Sequence, residues 1–300
     1  MSGGPLRAAA VALLARMGAR YAARRPSMGR SVAGWESGFV DAKGLRLRIG
    51  RHGSGKPLLL ITGIGAHMDM WAPFARLAGD RELIAFDAPG TGRSQRPRRP
   101  LRMGGLAEVV RALLDELELD RVDVLGYSWG GVLAQEFARR APERVRRLVL
   151  CATGPGVLGG SPPRPVAALM LATPARYYHP RLLALSLPHI AGGRTARERG
   201  ALSRHAGERL LWPPDPIGYA FQLYAVTGWS SGPWLKRLVS PTLVIGGDDD
   251  PSVPLRNARV LAARIPHARL HVVNGGGHLF LLDEPENVAG VIGAFLDGDR

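Results

Sequence analysis

Several stretches of this chain are apolar at nearly every position for the length of a β-strand. They are "PLLLITG" (57–63), "ELIAFDA" (82–88), "VDVLGYS" (122–128), "VRRLVLCAT" (145–153), "PTLVIGG" (241–247) and "ARLHVVNG" (268–275). A strand with one face in water alternates apolar and polar residues, whereas a run apolar throughout is expected where both faces are covered. Between the runs, Leu106–Leu119, Gly130–Arg140, Pro254–Ile265 and Glu284–Leu296 carry apolar residues three and four apart, the spacing of an amphipathic helix. Strand and helix in alternation imply right-handed crossovers and a parallel sheet between two helical layers. Upstream, "FVDAKGLRLRIGRHGSG" (39–55) alternates on either side of Lys43-Gly44 and reads as a hairpin. The expected fold is α/β, with a mostly parallel eight-stranded sheet and helices on both faces.

The rhythm breaks between residues 154 and 240. That segment opens with the loop composition "GPGVLGGSPPRP", continues in helix-like pieces, and offers no strand of the main sheet. It is too long for a simple loop and reads as an inserted helical cap. The chain of 300 residues therefore divides into a basic N-terminal extension (1–37), a core in two pieces (38–153 and 241–300) and a cap (154–240). The cap aromatics Tyr177, Tyr178, Trp212, Phe221, Tyr224, Trp229 and Trp234 can either line a pocket or pack the cap's own core, and Tyr178, Phe221, Tyr224 and Trp229 are the substrate-pocket candidates among them.

The formal net charge is +15, and only Lys43, Lys56 and Lys236 are lysines. Such a charge attracts anionic surfaces, but the arginines are scattered and form no nucleic-acid motif, so nucleic acid is not an expected partner. No run has the apolar length of a membrane span. "LRAAAVALLARMGARYAARR" near the N-terminus has a short apolar run between arginines and no clear A-x-A site. It fits a basic amphipathic helix better than an export signal. Cys151 is the single cysteine and sits in an apolar run, which fits a buried thiol and permits a reducing compartment.

"GYSWG" (126–130) follows one of the apolar runs and opens a helical one. In that context G-x-S-x-G is a nucleophile elbow: a turn tight enough to strain Ser128 and raise its hydroxyl above the sheet edge. Gly126 and Gly130 let strand and helix pass closely. A serine hydroxyl needs a base, and His278 in "VVNGGGHLF" stands just past the last strand on a glycine-rich loop. The base in turn needs a carboxylate to hold its tautomer. "GGDDDPSVP" offers Asp248, Asp249 and Asp250; Asp250 is favoured because Pro251 restricts it and a helix follows. The backbone N–H groups of Trp129 and Ile64 are the expected oxyanion donors, with Gly63 and Gly65 shaping the turn around Ile64. Asp87 in "FDAPGTGRS" reads as an anchor for its own turn. No metal cluster and no cofactor motif stand out.

With these residues in place, the chain from about Gly38 to Leu296 closely resembles the α/β-hydrolase superfamily. Within it the nearest likeness is to intracellular medium-chain-length polyhydroxyalkanoate depolymerases. The stretches that resemble them are "TGIGAHMDMW", "IAFDAPGTGRS", "GYSWGGVLAQEFA", "LATPARYYHP", "LYAVTGWSS", "LVIGGDDDPSVPLRNARVLAARIP" and "GGGHLFLL". The resemblance implies Ser128 as nucleophile, Asp250 as acid and His278 as base. It also implies hydrolysis of a stored polyester, without a cofactor, on granules in the cytoplasm. Thr62 departs from the family pattern, which has asparagine there, and the charged segment 191–215 is only partly family-like and bears on which ester is accepted. Two other readings use the same residues: a carboxylesterase or lipase for small or lipid esters, and a non-catalytic binding protein that kept the fold. The triad alone also admits peroxide in place of water.

Overall fold

An eight-stranded sheet runs through the computed structural model, which describes residues 34–198, 200 and 209–298. The strands are β1 (Glu36–Ala42), β2 (Leu45–His52), β3 (Lys56–Ile61), β4 (Arg81–Phe86), β5 (Val122–Tyr127), β6 (Val145–Cys151), β7 (Thr242–Gly247) and β8 (Arg269–Val273). Their spatial order is β1-β2-β4-β3-β5-β6-β7-β8. The β1–β2 hairpin and the β2–β4 pair are antiparallel, and every later pair is parallel. The expected α/β fold is the observed one. The N-terminal helix expected before Gly38 falls mostly outside the described residues, and β1 begins at Glu36.

The unbroken apolar runs are explained by what lies on each face. Leu59 and Ile61 of β3 pack into one buried cluster, and Leu58 and Leu60 into another. The same alternation puts Leu148 and Leu150 on the first face, and Val149 and Cys151 on the second. The first face is covered by α2 (Met103–Glu116) and α3 (Trp129–Arg140), through residues such as Leu113, Leu133 and Phe137. On the second lie the short α1 (Ala72–Ala75) and, near the C-terminus, α9 (Phe280–Asp283) and α10 (Pro285–Asp297), contributing Phe74, Phe280 and Ile292. Burial takes Cys151 fully inside and pushes its thiol far above its usual range, so it is inert packing.

Between β6 and β7 the described elements are helical: α4 (Pro165–Leu171), α5 (Pro180–Ala191), α6 (Gly193–Arg197) and α7 (Pro216–Val226). This is the inserted cap. The helix α8 (Arg256–Arg264) follows β7. The cap is stitched to the core where the sheet ends. Ser231 Oγ donates to Gln135 Oε1 of α3 at 2.7 Å, and the Arg164 N–H donates to the Pro251 carbonyl at 2.8 Å. Among the described residues no helix is long and apolar enough to cross a membrane.

One contact sets how close helix and sheet approach. A β-carbon on Gly130 would sit 2.2 Å from the Ile61 carbonyl oxygen and 2.5 Å from that of Thr62. Backbone cannot yield as a side chain can, so Gly130→Ala should destabilise the fold by about 3 kcal/mol or more. Gly290, on the open face of α10, has nothing within 4 Å of that position. There the same change should stabilise by about 1 kcal/mol through helix propensity. Urea unfolding followed by circular dichroism measures both; a neutral Gly130→Ala would refute the close approach.

Candidate active site

At the C-terminal edge of the parallel strands, β5 turns directly into α3 at Ser128. The serine is held at φ 56° and ψ −118°, a conformation rarely adopted by residues other than glycine. The turn is fixed by its own hydrogen bonds: the Ser128 N–H donates to the Cys151 carbonyl, and the Ser128 carbonyl accepts from Gly131 and Val132. Gly126 is equally constrained, since a β-carbon there would lie 2.5 Å from the Gly130 carbonyl oxygen. Gly63 is different. A β-carbon would make only ordinary contact, 3.4 Å from the Ser128 β-carbon, so the backbone does not require glycine there.

His278 reaches the serine from the loop after β8. Its Nε2 lies 3.0 Å from Ser128 Oγ, and its Nδ1 lies 2.7 Å from Asp250 Oδ2. The other oxygen of Asp250 accepts from the Ser252 and Val253 N–H groups, each at 2.8 Å. The carboxylate is thus buried, pinned by two amides, and aimed at one imidazole nitrogen. Its two neighbours are spent elsewhere. Asp248 Oδ1 accepts from the Gly275 N–H at 2.7 Å, and Asp249 Oδ2 accepts from the Gly193 N–H and from Arg197. The His278 backbone is also clamped: its N–H donates to the Ala191 carbonyl, and the Tyr127 hydroxyl donates to its carbonyl. Burial pushes the Tyr127 phenol well above its usual range, so it stays a neutral donor.

Ile64 and Trp129 flank the serine, and among the described residues neither backbone N–H is used in a hydrogen bond. The cap sets the position of both. Tyr177 Oη donates to the Ile64 carbonyl at 2.7 Å, and the Gly65 N–H donates to Gln222 Oε1 at 2.8 Å. The Trp129 indole donates to the Gln222 carbonyl at 3.0 Å. Gln222 therefore ties together the two turns that carry these amides. Its role had no local signal in sequence, because its partners lie far away along the chain.

The loop after β3 has a second anchor. Arg48 pairs with Asp69 through both terminal guanidinium nitrogens, at 2.6 and 3.1 Å, and His67 Nδ1 lies 3.2 Å from the same carboxylate. Burial works against the Asp69 anion, but the hydrogen bonds from His67 and Arg48 outweigh it, and the carboxyl titrates below its usual range. Asp87 accepts from the Met68 and Arg93 N–H groups, joining this loop to the turn after β4. Burial raises Asp87 against the pull of Arg48.

A cavity of about 80 Å³ opens onto Ser128 and His278, walled by Ile64, Met70, Leu171, Tyr177, Arg176 and Arg209 among others. None of the four aromatics expected there lines it. Tyr178 is buried, with its hydroxyl donating to the Pro214 carbonyl. Phe221 and Tyr224 lie on a face of α7 other than the one that carries Tyr219 and Gln222 inward. Tyr224 is instead covered by the Arg102 guanidinium, 3.9 Å above its ring. Trp229 packs on Trp234 and donates to Glu136 Oε2 at 3.1 Å. The apolar wall comes from Tyr177 and aliphatic residues, and two buried arginines enter that the sequence did not single out.

A hydroxyl held at a strained strand–helix turn, with an imidazole and a carboxylate in line behind it, defines a serine-type hydrolase on an α/β sheet. The chain belongs to the α/β-hydrolase fold family, which it matches over residues 56–285. It is 44% identical over 245 residues to the poly(3-hydroxyalkanoate) depolymerase of Ectopseudomonas oleovorans, covering 81% of this chain and 85% of that one. Among solved structures, a bacterial membrane phospholipase A superposes with a TM-score of 0.74 at 27% identity, covering 98% of this chain and 96% of the other. A thermophilic esterase from Thermogutta terrifontis superposes at 0.73 with 26% identity, covering 87% and 98%.

The pinned carboxylate gives a direct test. In Asp250→Asn the amide oxygen can still accept from Ser252 and Val253, but the amide nitrogen would face Nδ1 and favour the wrong imidazole tautomer. Turnover of p-nitrophenyl esters should fall by about 10⁴-fold while the unfolding midpoint stays close to wild type. A loss below tenfold would show that Asp250 does not orient the base.

Proposed function

We propose that this protein hydrolyses the ester bonds of medium-chain-length poly(3-hydroxyalkanoate), with Ser128 as nucleophile, His278 as general base and acid, and Asp250 as the orienting carboxylate. The observation that carries the reading is the relay from Ser128 Oγ to His278 Nε2 at 3.0 Å and from Nδ1 to Asp250 at 2.7 Å. It stands in a chain 44% identical to a poly(3-hydroxyalkanoate) depolymerase. As Ser128 attacks the ester carbonyl carbon, its proton passes to Nε2, and Asp250 stabilises the imidazolium. The Ile64 and Trp129 amides receive the charge that develops on the carbonyl oxygen; their fixed placement means they need not reorganise during the reaction. His278 returns the proton to the departing alcohol oxygen. Water, deprotonated by the same nitrogen, then frees the acid from Ser128.

Two features support an apolar acyl substrate. Beside the main cavity lies a second void of about 30 Å³, walled by Met70, Trp71, Leu281 and Leu282 among others and sharing Gly63 and Tyr127 with it. Each methylene placed in such a space is worth about 0.8 kcal/mol. The second feature is outside. Among the described residues, nine of the eleven exposed large apolar side chains fall in the cap segment, including Val157, Leu158, Leu169 and Leu185. Apolar residues gathered on the element above the active site suit contact with a water-insoluble polymer, and the surface of an intracellular polyester granule is the proposed place of action.

The substrate panel that tests this comprises medium-chain polyester, short-chain polyester, triglyceride and p-nitrophenyl esters, with Ser128→Ala as control. Medium-chain polyester should be the best polymer, and the variant should lose at least about 10³-fold in turnover. Preference for triglyceride would replace the reading by a lipase. The cap surface has its own test. Leu169→Asp combined with Leu185→Asp should lower the ratio of turnover on polyester particles to turnover on a soluble ester by about tenfold; an unchanged ratio removes the cap from polymer contact.

A further inference from the structure

Two arginines, Arg176 and Arg209, are among the residues lining the otherwise largely apolar cavity over Ser128. Arg176 is 3% exposed, and its Nη1 donates to the Met170 and Thr173 carbonyls and to the Tyr219 hydroxyl, although its Nε, like that of Arg209, is enclosed without a partner. Arg209 is 5% exposed and has no such support. Among the described residues its side chain forms no hydrogen bond and no ion pair, and its Nε is enclosed without a partner. The carboxylates nearest in charge influence to the neighbouring Tyr127 are committed elsewhere. Asp250 serves His278, Ser252 and Val253, and Asp283 accepts from the Thr195 hydroxyl at 2.6 Å. A guanidinium cannot escape burial by losing its proton. Left without an anion it is among the costliest groups a fold can enclose.

We propose that Arg209 is the carboxylate-binding residue of this cavity, and that the ester it selects carries a free carboxylate on its alcohol side. Resting on the polyester reading above, that substrate is the acid end of a 3-hydroxyacyl chain. In the terminal unit only one oxygen and two carbons separate the scissile carbonyl from the carboxylate carbon. A cavity of about 80 Å³ lined by Ser128, His278 and Arg209 together suits so short a span. The planar fork of the guanidinium matches both carboxylate oxygens. Cleavage then proceeds from the chain end. The terminal alkoxide takes the proton from His278 Nε2 and leaves as a free 3-hydroxy acid, and water next hydrolyses the ester left on Ser128. Arg209 lies in the charged segment 191–215 that is only partly family-like, which is where a difference in ester selection is expected to reside.

The test compares the trimer of 3-hydroxyoctanoate as its free acid with the same trimer as its methyl ester. Wild type should favour the free acid in kcat/KM by about tenfold to hundredfold. Arg209→Met should bring that ratio near one, with Arg209→Lys between. Equal kcat/KM for the two trimers with wild type overturns the proposal, and that comparison requires no variant to fold. If neither trimer is cleaved while p-nitrophenyl octanoate is, the polyester reading fails and the arginine is judged by inhibition of that turnover. Octanoate should then inhibit more strongly than octan-1-ol in wild type and lose its advantage in Arg209→Met. Equal inhibition by acid and alcohol would leave Arg209 no role in carboxylate binding.

Discussion

The active site depends on how closely the start of α3 approaches the end of β3. Carbonyl oxygens of Ile61 and Thr62 occupy the space where a side chain at residue 130 would begin. With helix and strand in contact, the single residue between β5 and α3 must reverse the chain in one step, and Ser128 takes a positive φ to do so. The same approach brings the turn after β3 beside the first turn of the helix. It therefore brings Ile64 and Trp129, the proposed oxyanion donors, to the edge of the sheet that carries Ser128. Strain at the serine is offset by packing at the glycines, which is how a fold sustains an unfavourable conformation at a reactive residue.

Rigidity reaches this point from two directions. From below, the buried Arg48–Asp69 pair with His67 and Asp87 holds the loop after β3 against the sheet. Breaking one partner of such a pair strands a buried charge and costs about 3–5 kcal/mol. From above, Tyr177 and Gln222 of the cap grip the peptide that joins Ile64 to Gly65. The cap is thus more than a cover: it supplies hydrogen bonds that fix the direction of the proposed oxyanion donors. A change in the cap would be felt in catalysis even at residues that never touch substrate.

Elements that were legible in sequence are those whose cause is local. Apolar runs at every position follow from burial on both faces, and G-x-S-x-G between strand and helix announces a sharp turn. His278 could be picked out because glycines precede it at a strand end. Choosing among three adjacent aspartates rested on Pro251, and the geometry shows why only one is free to serve the histidine: Asp248 and Asp249 are each held by other groups. The pocket aromatics were less legible for a different reason: of the cap aromatics only Tyr177 lines the cavity. Helix α7 is apolar around much of its circumference, so its sequence does not say which face turns inward; Tyr219 and Gln222 do, while Tyr224 is 41% exposed on the outer side beneath Arg102. Arg48, Asp69 and Gln222 carry no local pattern at all, since their partners lie on elements separated by long stretches of chain.

The two surfaces of the cap make opposite chemical demands. Outside, it shows leucines and valines to solvent; inside, it contributes a buried arginine to the lining of the cavity that opens onto Ser128. A substrate that is apolar along its whole length would satisfy the first and leave the second uncompensated. A fully ionic substrate would do the reverse. A polyester chain end satisfies both, because it is apolar along its length and anionic at one terminus. On the proposed function the outer face would gather polymer, and the inner charge would determine which bond along the chain is presented to Ser128.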